Sequence, residues 1–182
     1  MVEVGLLTGF RRQELVYLRP EDVDFTRELV SVAACYSKNW ESRTLLMGER
    51  LKAILHEAIN EHGTEPRVFV TEAKRPWTLG IFQHAFRKVC SEAGLEDCSP
   101  HTLRHTFASR LVMAGVDLPT VQELMGHKSI EMTLRYSHLS PHHKRQAMVA
   151  LERQFSGKSP AYFHNTPVSP PSQDYAKAVN MS

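Results

Sequence analysis

The sequence predicts a mainly α-helical fold with one small antiparallel β-sheet, the α+β class. Apolar residues recur at helical spacing in three long segments, residues 49–61, 78–93 and 99–114, each bounded by Gly, Pro or a capping residue. Residues 29–35 and 43–47 form short, partly β-branched apolar runs, which are typical of strands, and residues 68–70 form a shorter strand or extended piece. A turn joins the first two of these runs, so we expect them to pair as a hairpin.

Composition fits an ordinary soluble domain. The chain has 182 residues, of which 42% are hydrophobic and 23% charged, and this length allows a sizeable core. No segment approaches the roughly 18 apolar residues of a membrane span, and residues 1–12 lack the features of a signal peptide. The three cysteines form no CxxC pair, which argues against a disulfide framework or a cysteine zinc site. We therefore expect a cytoplasmic protein that does not contact membranes.

The first quarter of the chain is predicted to pass from helix to sheet. Residues 9–18 have helical spacing, with Gly9 at the start and Pro20 as the stop. Extended chain follows Pro20 and leads into the predicted hairpin, whose tip carries Lys38.

Two of the longer helices are each expected to bury one apolar stripe. The first helix occupies residues 78–93, and the second begins with Ser99 as its N-cap and Pro100 at its first position. The predicted stripes are Leu79, Phe82, Phe86 and Val89 in the first helix, and Leu103, Phe107, Leu111 and Ala114 in the second.

Short helices and a tail are expected in the C-terminal part. Asp117, Ser129 and Ser140 each stand at a predicted helix start, and the helix from Ser129 would carry Tyr136. Residues 156–182 are rich in Ser, Pro and Asn and lack periodic apolar surface, so we expect a disordered tail there.

Positive charge is concentrated in residues 101–145. The whole chain has a net charge of +2, whereas this segment alone contains six Lys or Arg and three acidic residues. It also holds six of the ten histidines. Such a segment fits a polyanionic partner, although a solvated helix face would give a similar pattern.

The motif HTLRH at residues 101–105 is the main candidate for chemistry. His101 and Arg104 are three residues apart and therefore share one helix face. His127 and Tyr136 follow, so that the whole set lies within 36 residues. Arginine and histidine beside a tyrosine suggest a phosphate oxygen as the target and the phenol as the nucleophile. The pattern predicts phosphoryl transfer through a phosphotyrosine.

Each candidate residue also has a purely structural interpretation. Arg11 could form a surface ion pair with Glu14, and Lys38 could be a solvated turn lysine. His127 could cap the preceding helix. Tyr136 could be a core aromatic residue, although its polar neighbours argue against deep burial.

A zinc site is the alternative for the first two histidines of the segment. His101 and His105 have the i, i+4 spacing of two zinc ligands. However, Thr102 stands where the HExxH pattern requires Glu, and Arg104 between the histidines would repel a cation. We therefore expect no metal site.

Taken together, three segments resemble the catalytic domain of tyrosine recombinases, the phage-integrase and Xer-type group. The segments are TGFRRQELVYLRPEDVDF, SKNWESRT and HTLRHTFASRLVMAGVDLPTVQELMGHKSIEMTLRYSHL. The resemblance runs from about residue 5 to residue 152 and reproduces the order Arg, Lys, His-x-x-Arg, His, Tyr. It implies that residues 1–155 form a catalytic domain of this fold, without its first helices and without the core-binding domain that precedes it in the family.

The resemblance implies a phosphate-binding group of three residues. Arg11 and Arg104 would bind the nonbridging oxygens of the scissile phosphate and offset charge in the transition state. His127 would donate a further hydrogen bond to the same group.

The resemblance also implies the nucleophile and the proton carriers. Tyr136 would attack phosphorus and form a 3′-phosphotyrosyl bond. Lys38 would protonate the leaving 5′-oxygen, and His101 would be the general base. Because the phosphotyrosyl bond conserves the energy of the cut link, rejoining would need no cofactor, neither ATP nor metal.

By the same resemblance the partner would be double-stranded DNA. A full-length form would act on it as a homo- or hetero-tetramer, in site-specific recombination or integration. Two alternatives stay open at this point: nicking and closing like a type IB topoisomerase, and an inactive remnant that binds only DNA or partner recombinases. The TGFR and MGH contexts favour a recombinase over a topoisomerase.

Overall fold

The structure is a computed structural model that describes residues 1–32, 42–62, 65–139, 148–149 and 151–152. The chain divides into two compact units, Met1–Leu139 and Ser140–Ser182. The described residues of the second unit are helical, where the sequence predicts its last helix. The predicted hairpin tip with Lys38, the helix start at Ser140 and the predicted tail over 156–182 lie outside the described residues.

The first unit is mainly helical with one small sheet, so the predicted fold class is confirmed. Its α-helices are α1 (Val2–Thr8), α2 (Arg12–Tyr17), α3 (Glu49–His62), α4 (Leu79–Glu92), α5 (Pro100–Met113), α6 (Leu118–Met125) and α7 (Glu131–Leu134). Its strands are β1 (Val23–Asp24), β2 (Leu29–Val32) and β3 (Arg43–Leu46). Two 3₁₀ turns, Pro20–Asp22 and Ser137–Leu139, complete the described elements. Among the described residues, no helix combines the length and apolar character that crossing a bilayer requires.

The sheet is antiparallel in the order β1-β2-β3. In the β2–β3 ladder Val30 lies opposite Leu45, and Val32 lies opposite Arg43. Because side chains alternate along a strand, Arg43 and Leu45 point to the same face of β3. Leu45 is buried on that face, whereas Leu46 on the other face is exposed. The register therefore directs Arg43 towards the protein interior.

The predicted helix over residues 9–18 is wrong at its start. Gly9 ends the preceding helix α1, which the sequence did not predict, and α2 begins only at Arg12. Gly9 adopts a left-handed conformation with φ 61°, which favours glycine. A Cβ on this residue would also lie 2.4 Å from Cδ1 of Phe107 on α5. Glycine is required here both for the backbone turn and for the close approach of α1 to α5.

The helices from residue 49, residue 79 and Pro100 are confirmed, but parts of their predicted buried stripes are wrong. Val89 is exposed and Cys90 is buried instead, because α4 turns its 82–86–90 side inwards. On α5, Ala114 is exposed because it lies beyond the last helical residue. Helical spacing allows either set, and only the packing partners choose between them.

The core lies between the helices and the inner face of the sheet. Helix α5 packs on both α1 and α6, and it is the central element of the unit. The largest fully buried side chains are Val4, Thr8, Phe10, Leu15, Val16, Val30, Leu55, Val68, Val112, Val121, Met125 and Thr133. This core fixes the ends of α1, α2, α5 and α6 near one another, which positions the site described next.

Candidate active site

Arg11 lies at the N-cap of α2 and is fixed by Glu14 of the same helix. Its backbone N–H donates to Oε2 of Glu14 at 2.7 Å, and its Nη1 donates to Oε1 at 2.9 Å. Its Nη2 donates to the carbonyl oxygen of Gly126 at 3.2 Å. The ion pair that the sequence allowed is present, but the Glu14 side chain is fully buried rather than on the surface.

Arg104 lies on α5 and is only 6% exposed. Its Nη1 donates to the carbonyl oxygen of Gly9 at 2.7 Å, and its Nη2 donates to the carbonyl oxygen of Met125. A guanidinium has five N–H donors, so these two contacts orient the group and leave further donors for a ligand.

The carbonyl acceptors lie at the C-terminal ends of α1 and α6. The last carbonyls of a helix have no partner within it and carry the negative end of the helix dipole. Both helices end in a left-handed glycine, Gly9 with φ 61° and Gly126 with φ 59°. The glycines of TGFR and MGH therefore end helices where their carbonyls can hold Arg11 and Arg104.

Arg43 is a third arginine at this place, and sequence reasoning missed it. Its Nη2 donates to Oε2 of Glu14 at 2.7 Å, and its Nη1 donates to the carbonyl oxygen of Met125. Its guanidinium lies 5.4 Å from the ring centroid of Phe10. The signal was available, because an arginine that alternates with Leu45 and Met47 stands on the apolar face of a predicted strand.

These arginines leave an excess of positive charge in a buried place. Among the described residues, this cluster contains three cationic groups, those of Arg11, Arg43 and Arg104, and one anionic group, the carboxylate of Glu14. Burial, followed by the charges of Arg43 and Arg11, lowers the pKa of Arg104 to about 9. Burial also lowers the pKa of Arg43. An anion bound among them would offset this repulsion, which makes the cluster suited to a phosphate.

His127 follows Gly126 and faces the same cluster. Its backbone N–H donates to the carbonyl oxygen of Gln122 at 3.0 Å, so it does cap α6. Its ring Nδ1 lies 2.8 Å from Oγ1 of the buried Thr133. Partial burial, followed by the charges of Arg104 and other arginines, lowers the pKa of the ring to about 4. The ring is therefore neutral at pH 7.

Tyr136 lies just after α7 and not on it, because α7 spans only Glu131–Leu134. The expectation that its polar neighbours keep it near the surface is wrong, since the residue is only 5% exposed. The short α7 turns the ring inwards, while Arg135 and Ser137 point outwards. Burial raises the pKa of the phenol, and the nearby charges of Arg135 and Arg104 oppose this rise.

The phenol oxygen of Tyr136 contacts His105, which in the sequence was a candidate only for a zinc ligand. Oη of Tyr136 lies 2.6 Å from Nδ1 of His105. His101, one turn earlier on α5, is exposed, and none of the described residues hydrogen-bonds to its ring. No group of three or more His, Cys, Asp or Glu within the described ranges could hold a metal ion.

The structure thus gathers most of the predicted site residues but not all. Arg11 and Arg104 lie together at the ends of α1 and α6, with His127 beside them, and Tyr136 lies within range of the Arg104 charge. His101 lies at the exposed start of α5. Lys38 lies outside the described residues. The arrangement offers several N–H donors for an anion next to a protonated phenol.

Comparison with known proteins identifies a related family and several relatives. The family described as "Phage integrase family" matches residues 1–143. Tyrosine recombinase XerC of Herpetosiphon aurantiacus is 35% identical over 147 residues, which are 77% of this chain and 47% of that protein. The chain spans about half the length of the curated relatives it matches.

Solved structures share the fold. The catalytic domain of bacteriophage HP1 integrase is similar with a TM-score of 0.65 at 26% identity, covering 87% of this chain and 83% of that one. The Tn1549 transposon integrase, solved in complex with a circular intermediate DNA, gives a TM-score of 0.69 at 24% identity, covering 84% of this chain and 57% of that one. The fold is that of the HP1 integrase catalytic domain.

Proposed function

Because the chain belongs to the phage integrase family, we propose that it carries out the strand cleavage and rejoining of a tyrosine recombinase on DNA. The observation that carries this proposal is the cluster of Arg11, Arg43 and Arg104 around the buried Glu14. The charge of Arg104 lies within electrostatic range of the Tyr136 phenol. The cluster suits the phosphate of a DNA strand, and the phenol suits its attacking nucleophile.

We assign phosphate binding to Arg11, Arg104 and His127. The two guanidinium groups are already oriented by backbone carbonyls, so little reorganisation is needed when charge develops on the phosphate oxygens. His127 is neutral at pH 7 and has one ring N–H to donate. Its contact with Thr133 fixes the ring beside the arginines.

We assign the nucleophile to Tyr136. Its Oη would bond to phosphorus as the bond to the 5′-oxygen breaks, leaving a 3′-phosphotyrosyl link. Lys38 would give the leaving oxygen its proton, as the family resemblance implies. The reverse attack by a 5′-hydroxyl would restore a phosphodiester, so rejoining exchanges bonds of similar energy and needs no cofactor.

The partner is proposed to be double-stranded DNA. Support comes from the basic, arginine-lined site and from the Tn1549 integrase, whose structure is a complex with DNA. We further propose residues 1–155 as the catalytic domain and residues 156–182 as a tail. Assembly as a tetramer on DNA and a cytoplasmic location stay predictions from the sequence.

A covalent trapping assay tests the proposed chemistry. The chain is incubated with duplexes that carry a nick next to the cleavage point, so that the cut fragment diffuses away and the adduct accumulates. Because the target sequence is unknown, a randomised pool of such duplexes is the probe. We expect an adduct that resists heating in detergent, and we expect Tyr136→Phe to abolish it.

Tyr17→Phe is the matched control, since it removes a phenol from α2 rather than from the site. It is expected to give the same adduct as the unchanged chain. An adduct that persists in Tyr136→Phe would contradict the assignment of the nucleophile.

A further inference from the structure

Among the described residues, the imidazole of His105 is the side chain that hydrogen-bonds to the hydroxyl of Tyr136, the proposed nucleophile. The two atoms, Oη and Nδ1, are 2.6 Å apart, and the ring centroids are 6.0 Å apart. His101 makes no such contact among the described residues. The histidine that faces the reacting oxygen is therefore not the one to which the family pattern assigned the proton.

We propose that His105 is the general base that accepts the Tyr136 proton during strand cleavage. This inference rests on the proposed function, because it concerns the same nucleophile. The proton moves from Oη to Nδ1 of His105 while the Oη–P bond forms and the bond from phosphorus to the 5′-oxygen breaks. The leaving 5′-oxygen takes its proton from a separate acid, assigned above to Lys38. During rejoining the steps reverse, and His105 returns the proton to Tyr136.

The surroundings of His105 favour the neutral ring that this role requires. Burial of part of the ring lowers its pKa, and the charges of Arg135, His101 and Arg104 lower it further. Arg135 comes from the segment that carries Tyr136, and the other two lie on α5 with His105. A neutral ring whose Nε2 carries the proton has a free lone pair at Nδ1, which is the atom that meets the phenol.

The phenol needs a base. Burial raises the pKa of Tyr136 above its usual value near 10, so the hydroxyl is protonated at pH 7. His105 as a whole residue is exposed, although Tyr136 is buried. A proton taken from the phenol can therefore pass from the imidazole to solvent, which suits a residue that must be neutral again for the next cycle.

The contact also has a purely structural interpretation, since a buried phenol usually finds a hydrogen-bond partner. The two interpretations differ in what the ring must do. A structural partner can either donate or accept at Nδ1, and glutamine could replace it. A base must accept at Nδ1 and must titrate. The experiment therefore measures the tautomer and the pH dependence.

The first measurement is a long-range ¹H–¹⁵N NMR spectrum of the intact chain, with His105→Gln used to assign the ring. We expect the His105 ring to be neutral at pH 7, with the proton on Nε2 and not on Nδ1. We also expect Tyr136→Phe to change the chemical shift of Nδ1. A proton on Nδ1 at pH 7 would overturn the proposal, because the ring would then donate to the phenol oxygen.

The second measurement is the rate of adduct formation between pH 5 and pH 9.5 on the nicked duplex pool. His105→Gln should slow it by about 10²- to 10⁴-fold at pH 7. The rate of the unchanged chain should fall in the acidic part of this range as His105 becomes protonated, and His105→Gln should lose this dependence. Its rate should instead rise steadily towards high pH, where the phenol ionises unaided. Binding of the duplex should be unchanged.

Two further variants show which histidine causes the fall in rate at acidic pH. His101→Gln should form the adduct more slowly than the unchanged chain, but its rate should still fall at acidic pH. If the acidic fall were lost in His101→Gln and kept in His105→Gln, the proposal would be overturned. His84→Gln on α4 changes an exposed histidine away from the site and should match the unchanged chain. A His105→Gln rate within about threefold of the unchanged chain, or above it, would also overturn the proposal.

Failure of the proposed function would give a different result. If the unchanged chain forms no adduct at any pH, the cleavage activity of this chain is contradicted, whatever His105 does. The NMR measurement still decides whether Nδ1 is the acceptor of the Tyr136 hydroxyl. The two proposals can therefore fail separately.

Discussion

The arginine cluster and the Tyr136–His105 pair are neighbouring parts of one site, but they are held in different ways. Arg11, Arg43 and Arg104 are fixed by Glu14 and by carbonyls at the ends of two helices. Tyr136 is fixed by its burial and by one hydrogen bond to a partly exposed ring. The phosphate-binding part is built into the fold, whereas the nucleophile depends on a short helix and one contact.

This difference predicts where each substitution acts. A change in the cluster leaves buried charges without partners, so it should reduce stability as well as activity. A change in the pair removes one hydrogen bond at the edge of α5, so it should affect chemistry far more than folding. Measurements of the free energy of unfolding can therefore separate the two parts.

The largest effect on stability is expected for Glu14→Gln. This change removes the buried carboxylate that Arg11 and Arg43 share and leaves the two largely buried guanidinium groups without a counter-ion. We expect the free energy of unfolding to fall by about 3–5 kcal/mol. Urea unfolding at pH 7 measures this directly.

Tyr136→Phe and Glu49→Gln are the comparisons for that experiment. Tyr136→Phe should cost only about 1 kcal/mol for one hydrogen bond. Glu49→Gln breaks an exposed ion pair with Lys52 and should cost less than about 1 kcal/mol. If Glu14→Gln and Tyr136→Phe lowered the free energy of unfolding equally, the arginine cluster and the Tyr136–His105 pair would not differ in how they are held.

A smaller effect is expected for Gly9→Ala, which tests an anchor of the cluster. Gly9 holds Arg104 through its carbonyl, has a left-handed backbone, and packs against Phe107. We expect a loss of about 2–4 kcal/mol in the free energy of unfolding from backbone strain and overpacking together.

Gly94→Ala is the matched control for Gly9→Ala. Gly94 has a similar φ of 66°, but no atom lies within 4 Å of the position of an added Cβ. The free energy of unfolding of this variant should fall only by the cost of backbone strain, about 1–2 kcal/mol. If Gly9→Ala lost no more stability than Gly94→Ala, the close packing of α1 on α5 would not constrain the Gly9 carbonyl that holds Arg104.

The smallest effect is expected in the pH dependence of stability and comes from His127. Its pKa in the folded protein is about 4, below the value near 6.5 expected in the unfolded chain. The unfolded state therefore binds a proton more readily, and stability falls as the pH drops from about 6.5 to 4. Because the ring is partly exposed, solvent screening limits the loss to about 1–2 kcal/mol.

His127→Gln should reduce this acid-dependent loss, whereas His84→Gln should keep it. Chemical unfolding at pH 7 and pH 4.5 gives the comparison. An unchanged loss in His127→Gln would mean that the arginine cluster does not depress the basicity of this ring, and the cluster would be less positive than described.

Local patterns in the sequence were enough for most of the fold. The helices from residue 49, residue 79, Pro100 and Leu118 follow from apolar spacing and from caps such as Ser99, Asp117 and Gly126, which act over only a few residues. The hairpin strands follow from β-branched runs. The split between α1 and α2 did not follow, because a helix start and a left-handed helix end both favour glycine, and Gly9 fits either.

The sequence also supplied the residue types of a phosphoryl-transfer site, because the order of Arg11, His101, Arg104, His127 and Tyr136 is visible without a structure. It did not supply their partners. Arg104 and Gly9 are 95 positions apart, and Arg43 and Met125 are 82 positions apart. No local rule relates such residues, so Arg43 gained a place in the site only through tertiary packing. The i,i+3 spacing did relate Glu14 to Arg11, but only packing decided that this carboxylate is buried.

The orientation of the nucleophile was likewise decided by the tertiary structure. The sequence predicted Tyr136 on a short helix after a histidine-rich motif, whereas in the structure the residue follows that helix. Only the packing of that helix decided that Tyr136 is buried and that its hydroxyl faces His105 rather than His101. Spacing along a helix fixes which residues share a face, whereas the partner of that face depends on distant elements whose contacts form only when the chain folds.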